Sequence, residues 1–366
     1  MSLFRTSPFD EMKKFVAVAM SGGVDSSVAA ALLKKQGHEV VGLTMCFNLA
    51  EKDGKKPSCC GLTGIEDARR VCQKLGVRHY VINLDKDFSR DVIQNFYQEY
   101  LNGRTPNPCV RCNQFIKFGI LLKKALNLGA KFLATGHYAR IVKTEQGYLL
   151  KKACDLKKDQ SYFLYRLRQE ELKHLIFPLG NFTKFKVRQM AADFGLSVAE
   201  KQDSQEICFL PEGKPGDLIK SKGLNNVKPG DLVDKDGNIL GVHQGIPFYT
   251  VGQRQGLGIA KGYPLYVTQI NAKDNQIVVG QRQDAYGSEF IVKEVHFLNK
   301  PFKKKIEIKV RIRYNHKETP AEVYPVKNKL KIIFKKPQFA ITPGQSAVFY
   351  DRNTVLGGGI IQKVIA

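Results

Sequence analysis

The stretch Met20-Ser21-Gly22-Gly23-Val24-Asp25-Ser26-Ser27 decides the reading of this chain. It lies between an apolar run, Phe15 to Met20, and an Ala/Leu-rich segment ending at Gly37. That order predicts strand, tight glycine turn, helix. Gly22 and Gly23 let the backbone come close to a ligand and take dihedrals closed to other residues. The helix that follows offers unpaired N–H groups and the positive end of its dipole, so the turn suits an anion. Ser21, Ser26 and Ser27 add hydroxyl donors. No lysine lies in the loop and the G-x-x-x-x-G-K-[ST] spacing is absent, which excludes a Walker-A site. The plain alternative is a helix capped by Asp25 or Ser26, with glycines that merely turn the chain.

Composition narrows the partner. The 366 residues are enough for two or three domains, and 58 Lys+Arg against 34 Asp+Glu leave a formal charge of +24. An enzyme of small metabolites has no need of that excess, whereas a polyanion such as RNA does, because each neutralised phosphate releases condensed counterions. No apolar run approaches the roughly 20 residues that span a bilayer. Met1 to Lys14 lacks an apolar signal core and carries two acids, so the expected location is cytoplasmic. The cysteines are Cys46, Cys59, Cys60, Cys72, Cys109, Cys112, Cys154 and Cys208, irregularly spaced and unlike a secreted disulfide framework. Cys46 and Cys72 fall in a strand-like and a helix-like run and read as inert buried thiols; Cys59 and Cys60 receive no role.

The first two-thirds of the chain alternates strand-like runs (Phe15–Met20, Val40–Phe47, His79–Leu84, Phe132–Thr135) with helical patterns (Ser26–Gln36, Ile65–Leu75, Phe88–Leu101, Gln114–Leu128). Gly37, Gly76 and Gly129 stand where helix C-caps are expected. Such alternation predicts an α/β fold with a doubly wound parallel sheet. Ligands then bind beyond the carboxyl ends of the strands, where the Ser21–Ser26 turn, Met45 and Thr135-Gly136-His137-Tyr138-Ala139-Arg140 would gather. After about residue 215 strands become short and turn-separated, with Asp236-Gly237 as a hairpin signal. From Gly287 onward, runs such as Ile306–Tyr314, Lys329–Phe334 and Ser346–Tyr350 suggest a small antiparallel barrel. The expected domains are 1–215, 216–286 (small and mixed) and 287–366.

Two cysteine contexts carry the chemistry: Asn107-Pro108-Cys109-Val110-Arg111-Cys112-Asn113, in a loop before a helix, and Asp203-Ser204-Gln205-Glu206-Ile207-Cys208-Phe209. Cys112 near a helix N-terminus, with Arg111 and Lys117 close in sequence, would have its thiolate favoured. A structural zinc site wants four ligands, and no second C-x-x-C or H-x-x-x-H pairs with Cys109-x-x-Cys112.

The S-G-G-x-D-S loop resembles that of the PP-loop ATP pyrophosphatases, of adenine nucleotide α-hydrolase-like fold, which split ATP between its α and β phosphates. That loop, T-G-H-Y-A-R, both cysteine contexts, Lys158-Asp159-Gln160-Ser161-Tyr162 and Tyr249-Thr250-Val251-Gly252-Gln253-Arg254-Gln255-Gly256-Leu257-Gly258 occur in one order. The ordered set resembles the tRNA-specific 2-thiouridylase family from about residue 14 to 364. The resemblance implies an ATP site on Ala19, Met20, Ser21, Gly22, Gly23, Val24, Asp25, Ser26, Met45 and Gly136, with Mg2+ offsetting phosphate charge. ATP would adenylate the C2 oxygen of the wobble uridine. Cys208 would carry sulfur as a persulfide and Cys112 would be the catalytic nucleophile. Cys112 would then release the product by forming a disulfide with Cys208, or take the sulfur as hydrosulfide.

The same resemblance assigns Asn107, Pro108 and Cys109 to the target base, which must leave its stack to react. It assigns His137, Lys158, Asp159, Gln160, Arg313, Tyr314 and Gln345 to further tRNA contacts. An upstream sulfur donor, such as a cysteine desulfurase or sulfur-relay protein, is implied. The chain departs from the family at Cys109, where many members have aspartate. With Cys112 and Cys208 it makes three thiols, which can hold a 4Fe–4S cluster with one open iron, the alternative to the persulfide relay. A PP-loop ligase of small metabolites, a lysidine-forming RNA ligase and a basic RNA-binding protein with a degenerate nucleotide fold are the other readings. The Tyr249–Gly258 segment receives no catalytic role.

Overall fold

The computed structural model describes residues 13–47, 62–203, 207–210, 216, 219 and 227–365; Cys59, Cys60, Ser204, Gln205 and Glu206 lie outside the described residues. The chain divides into two compact units. One takes the chain up to Phe88, then Cys112 to Pro211, and Asn353–Val355; the other takes Ser89–Arg111, Glu212–Arg352 and the stretch from Leu356.

The first unit is built on strands β1 (Phe15–Ala19), β2 (Glu39–Cys46), β3 (Arg78–Asn83), β4 (Phe132–Ala134) and, after the hairpin described below, β7 (Leu175–Ile176). They form a parallel sheet in the order β3-β2-β1-β4-β7. β1 is central, and Val16, Ala17 and Val18 in it are fully buried, which is why it reads as an unbroken apolar run. Helices α1 (Val24–Lys35) and α2 (Leu62–Lys74) follow β1 and β2. α1 buries Val28, Ala29, Ala30 and Leu33 in the same core as Val71, Phe132 and Val187. Its small alanines let the helix lie close to the sheet.

Gly37, Gly76 and Gly129 have φ of +84°, +61° and +88° and end their helices as expected. Gly37 and Gly76 would meet no crowding from a Cβ, so the left-handed backbone alone selects glycine there.

Three local features depart from the periodicity. Residues after Tyr138 form an antiparallel hairpin, β5 (Ala139–Thr144) and β6 (Gly147–Lys152), that the helix–strand alternation did not signal. The helical pattern expected over Phe88–Leu101 is broken into α-helix at Asp85–Phe88, π-helix at Ser89–Ile93 and α-helix at Gln94–Leu101. The pattern expected from Gln114 begins earlier, as a helical turn at Pro108–Arg111 followed by π-helix from Cys112 to Leu121. π-Helical stretches are rare and tend to occur at functional sites.

The second unit holds a four-stranded sheet and a barrel. The sheet contains β8 (Gly230–Val233), β9 (Ile239–His243), β10 (Tyr266–Asn271) and β11 (Gln276–Gly280), in the order β10-β11-β8-β9. Its β8–β9 hairpin turns at Asp236-Gly237, where Gly237 has φ +88° and the Asp234 carboxylate accepts from the N–H groups of Asp236 and Asn238. The barrel contains β12 (Tyr286–Phe297), β13 (Ile306–Arg311), β14 (Thr319–Val326), β15 (Lys329–Phe339), β16 (Ser346–Asp351) and β17 (Thr354–Val364). It is antiparallel and closed by the β12–β17 pairing, around Phe290, Val292, Ile332, Phe349 and Ile361. The excursion Ser89–Arg111 belongs to this unit. Thr105 donates its N–H to the Pro343 carbonyl at 2.9 Å, and a Cβ on Gly103 would strike Ile270 at 2.7 Å.

Candidate active site

The turn after β1 is organised by its own side chains. The Ser26 hydroxyl accepts from the Ser21 N–H at 3.1 Å and donates to the Gly23 carbonyl at 3.2 Å. Ser27 donates to the same carbonyl at 2.8 Å, and the Ser21 and Ser26 hydroxyls lie 3.2 Å apart. Gly22 has φ +71°, and a Cβ on it would sit 2.2 Å from the Gly64 carbonyl oxygen of α2. Only glycine meets both conditions. α1 begins at Val24, two residues before the expected start, so Gly23 is its N-cap and Asp25 lies in its first turn. Gly136, after β4, passes so close that a Cβ would lie 2.8 Å from the Ser26 nitrogen. Ala19 ends β1 and Met45 lies near the end of β2, whose Thr44 hydroxyl donates to the Met20 carbonyl at 2.9 Å. Ala19, Met20, Ser21, Gly22, Gly23, Val24, Asp25, Ser26, Met45 and Gly136 thus share one edge of the sheet. With its hydroxyls and helix terminus, that edge is suited to a polyphosphate.

Asp25 is the hub of a charge network that sequence reading missed. Its carboxylate accepts from the Tyr138 hydroxyl at 2.8 Å and from the Lys184 ammonium at 2.8 and 2.9 Å. Lys184 is 9% exposed and also pairs with Asp203 at 2.8 Å. Lys158 and Arg188 meet Asp203 at 2.8 Å each. Burial by itself would raise the Asp203 carboxyl, but the ammonium groups of Lys158 and Lys184 outweigh it and hold the carboxyl down at about 2. Burial, then the facing Asp25 carboxylate, pushes the Tyr138 phenol far above its ordinary range, so it stays a hydrogen-bond donor. A signal existed: Thr183 caps the helix Lys184–Asp193 through a bond from the Lys186 N–H. Nothing local, however, marks which of its cations turns inward.

Both cysteine contexts brace on Asp85–Phe88. Cys112 opens the π-helix that packs against that short helix and is buried. Beside Cys208, which is half-buried, Phe209 sets its ring edge-on to Phe88 at 5.7 Å. Phe47, leaving β2, stacks on Phe88 at 4.1 Å. Cys112 lies a full turn inside the helical segment that starts at Pro108, further from a helix N-terminus than expected. Cys72 is buried, and desolvation pushes its thiol up to about 11, as suits an inert thiol. Cys46 is half-buried. Among the described residues no three His, Cys, Asp or Glu side chains converge as a metal site would require. The cluster alternative on Cys109, Cys112 and Cys208 finds no such ligand group among the described residues.

The residues expected to meet RNA fall in both units. In the first, His137 shares a hydrogen bond at Nδ1 with the Thr135 hydroxyl at 2.7 Å and packs in a cluster with the rings of Phe118 and Phe177. Desolvation, then Lys117, holds it well below the usual imidazole range, so it is neutral. Gln160 accepts from the Tyr138 N–H at 3.0 Å. Asp159 is 2% exposed and accepts from the Ala153 N–H and the Ser161 hydroxyl, which fixes the 158–161 turn. That turn runs into Phe163, whose carbonyl accepts from Asn113, the neighbour of Cys112.

In the second unit, the Asn107 side chain accepts from the Val110 N–H at 3.3 Å and begins the Pro108–Arg111 turn that holds half-buried Cys109. Gln345 donates to the carbonyls of Thr105 and Pro106 at 3.0 and 3.1 Å, so it pins the start of that loop. Arg313 donates to the Val251 carbonyl at 2.8 Å and to the Thr342 hydroxyl. Arg311 stacks over the Tyr314 ring at 5.3 Å.

A parallel sheet ending in this glycine–serine turn defines the class of PP-loop proteins, with an adenine nucleotide α-hydrolase-like domain. Residues 14–212 match a family described as the tRNA methyl transferase HUP domain. Residues 221–281 match the tRNA methyl transferase PRC-barrel domain, and residues 287–361 the aminomethyltransferase beta-barrel domain. A tRNA-specific 2-thiouridylase MnmA of Halothermothrix orenii is 50% identical over 353 residues, covering 95% of this chain and 99% of the relative. The tRNA-specific 2-thiouridylase MnmA of Clostridium beijerinckii is 48% identical over 360 residues, covering 97% and 100%. Among solved structures, a 4-thiouridine synthetase–RNA complex with bound ATP shares 18% identity over 57% of this chain and 50% of that one, with a TM-score of 0.37. Identity of about half over 95–97% of the chain ties it to these thiouridylases rather than to methyl transfer. The chain belongs to the tRNA-specific 2-thiouridylase family.

Proposed function

We infer that the protein is a tRNA-uridine 2-sulfurtransferase that uses ATP to replace the C2 oxygen of a tRNA wobble uridine with sulfur. The observation that carries this reading is the phosphate-suited turn at Ser21–Ser26 in the same unit as two cysteine segments braced on one short helix. ATP lies against Ala19–Ser26, Met45 and Gly136, with Mg2+ arriving as the counter-ion of its phosphates. The uridine O2 attacks the α-phosphorus, the bond from that phosphorus to the β-phosphate oxygen breaks, and pyrophosphate leaves. C2 now carries AMP as a good leaving group. The terminal sulfur of a persulfide on Cys208 attacks C2 and AMP departs. The Cys112 thiolate then attacks the Cys208 sulfur, freeing the thiouridine and leaving a Cys112–Cys208 disulfide. A cellular dithiol supplies the two electrons that reopen it, and an upstream sulfur donor reloads Cys208.

Asn107, Pro108 and Cys109 meet the flipped base, and His137, Lys158, Asp159, Gln160, Arg313, Tyr314 and Gln345 serve tRNA docking. A neutral His137 serves as a hydrogen-bonding group, with no cationic role. The charge of +24 supports a polyanionic substrate. No helix among the described residues is long and apolar enough to cross a membrane; the tRNA substrate and the need for reducible thiols favour a cytoplasmic location. The domain division 1–215, 216–286, 287–366 goes with this reading as catalytic, central and barrel domains.

The test is to incubate the protein with ATP, a sulfur donor and tRNA bearing a wobble uridine, then quantify AMP and 2-thiouridine by mass spectrometry. Tight one-to-one formation supports the reading. AMP formed from a metabolite without tRNA would favour the small-molecule ligase, and no turnover at all would favour a binding protein.

A further inference from the structure

The side chain of Phe185 is 81% exposed. It stands in the first turn of the helix Lys184–Asp193, one residue on from the lysine that holds both oxygens of Asp25. The Lys184 N–H donates to the Asp155 carboxylate at 3.0 Å, which joins this helix start to the turn that begins at Asp155. Leu156, next to Asp155, is 66% exposed. Two large apolar side chains therefore stand in solvent at one junction, beside Lys157 and Lys186, which are exposed as well. The Lys186 ammonium donates to Gln189, a neutral partner, and keeps its charge. The nearby acids are occupied: Asp159 is buried, and Asp155 accepts from the N–H groups of Lys157 and Lys184. The face is cationic.

Single exposed apolar residues are ordinary on a protein surface, but a flat ring beside ammonium groups has a specific match. Nucleobases stack on such rings while their phosphates meet the cations. The helix turns Val187 and Ala191 into the core and leaves Phe185 outside, so the fold itself does not use the ring. A protein partner would need about 800 Å² of contact surface, far more than two side chains present, whereas one base covers one ring. Extruding the target uridine also deprives its neighbours of a stacking partner. Through Lys184 and Asp25, Phe185 stands at the same edge of the sheet as the phosphate-suited turn.

We propose that Phe185 is a stacking platform for an unpaired base of the tRNA, with Lys157 and Lys186 meeting the adjoining phosphates. The inference rests on the reading that tRNA is the substrate, and it adds residues that none of the tRNA-binding motifs named above contains.

The chain contains no tryptophan, so Phe185→Trp supplies a single fluorescent reporter in the full-length protein. Its emission is quenched when tRNA bearing a wobble uridine is added. In Leu128→Trp, at a half-exposed position on the opposite edge of the sheet, where the helix Leu122–Asn127 leads into β4, emission is unchanged. Filter binding then measures affinity. Phe185→Ala weakens tRNA binding about tenfold, within what stacking on one base supplies. Phe185→Tyr keeps the affinity, and Phe185→Leu, apolar but not flat, loses as much as Phe185→Ala. The salt slope of binding is unchanged in Phe185→Ala and falls by about one in Lys186→Ala, as loss of one phosphate contact requires. Thermal melts identify any variant that fails to fold. Wild-type affinity in Phe185→Ala, or equal quenching at the two reporter positions, overturns the platform and leaves the tRNA reading standing. Wild-type affinity in Phe185→Leu makes the contact merely apolar and overturns the stacking. If the wild-type protein binds no tRNA, both the platform and the tRNA reading fall.

Discussion

The Ser21–Ser26 turn and the stretch 199–203 lie side by side in one unit, yet they are held in place by different physics. The hydroxyl bonds inside the turn join residues two to five positions apart, and only its flanks are reached from afar, by Lys201 at Gly22 and by Tyr138 and Lys184 at Asp25. The stretch depends on partners far away: Lys158 is 45 positions from Asp203, and Gly22 is 179 from Lys201. A short-range arrangement is stiff and forms with its helix. A long-range ionic one exists only once the sheet is built, and it yields to competing charge. The contrast separates a turn fixed by its own residues from a stretch that is fixed only by the folded sheet.

The largest expected effect separates chemistry from docking. Cys208→Ser and Cys112→Ser should each bring 2-thiouridine formation below about a thousandth of wild type, as loss of a nucleophile does, with tRNA affinity nearly unchanged in filter binding. Thiolation at wild-type rate by either variant would remove that cysteine from the active site and overturn the paired mechanism. Next comes the rigid turn. Gly22→Ala puts a Cβ 2.2 Å from the Gly64 oxygen, and a displacement of about 1 Å there should lower ATP turnover on the order of 10²-fold. Full turnover would mean the turn is softer than its bonding implies.

The barrel offers a control outside the comparison. Phe290→Ala, in a fully buried position, should cost about 3–5 kcal/mol in urea unfolding, while ATP binding at the phosphate loop in the folded protein stays as in wild type. The smallest effect is acid dependence. The Asp203 carboxyl is held at about 2 against an ordinary 3.8, so its contribution to stability is complete above pH 4 and lost as pH falls towards 2. Asp203→Asn should therefore flatten the part of the stability–pH curve between those values. An identical curve in the variant would show that the ion cluster does not hold the stretch 199–203.

Much of this could be read in advance. The parallel strands, the glycine C-caps at 37, 76 and 129, and the closed barrel after Gly287 follow from periodicities of two and 3.6 and from backbone freedom at glycine. The hairpin at 139–152 escaped because its strands lie inside a region of strand–helix alternation. The π-helical stretches at 89–93 and 112–121 escaped because the apolar pattern of a π-helix is hard to tell from that of an α-helix over one or two turns. In the candidate site, the glycine–serine turn between β1 and α1 was legible as a local motif. Lys184 and Tyr138 as partners of Asp25 were not, since a surface helix rich in basic residues gives no sign of which one the fold will bury.

Sequence alone determined the class of fold, the turn that suits phosphate and the two cysteine segments, because each rests on residues adjacent in the chain and on the conformations those residues allow. Tertiary structure alone decided that Asp25 shares Lys184 with Asp203, that Gln345 pins the loop before Asn107, and that the Asp85–Phe88 helix packs against the π-helix opened by Cys112 while its Phe88 meets Phe209 beside Cys208. Those contacts join residues far apart in sequence, and they come into being only when burial of the core brings distant charges and rings within a few ångströms.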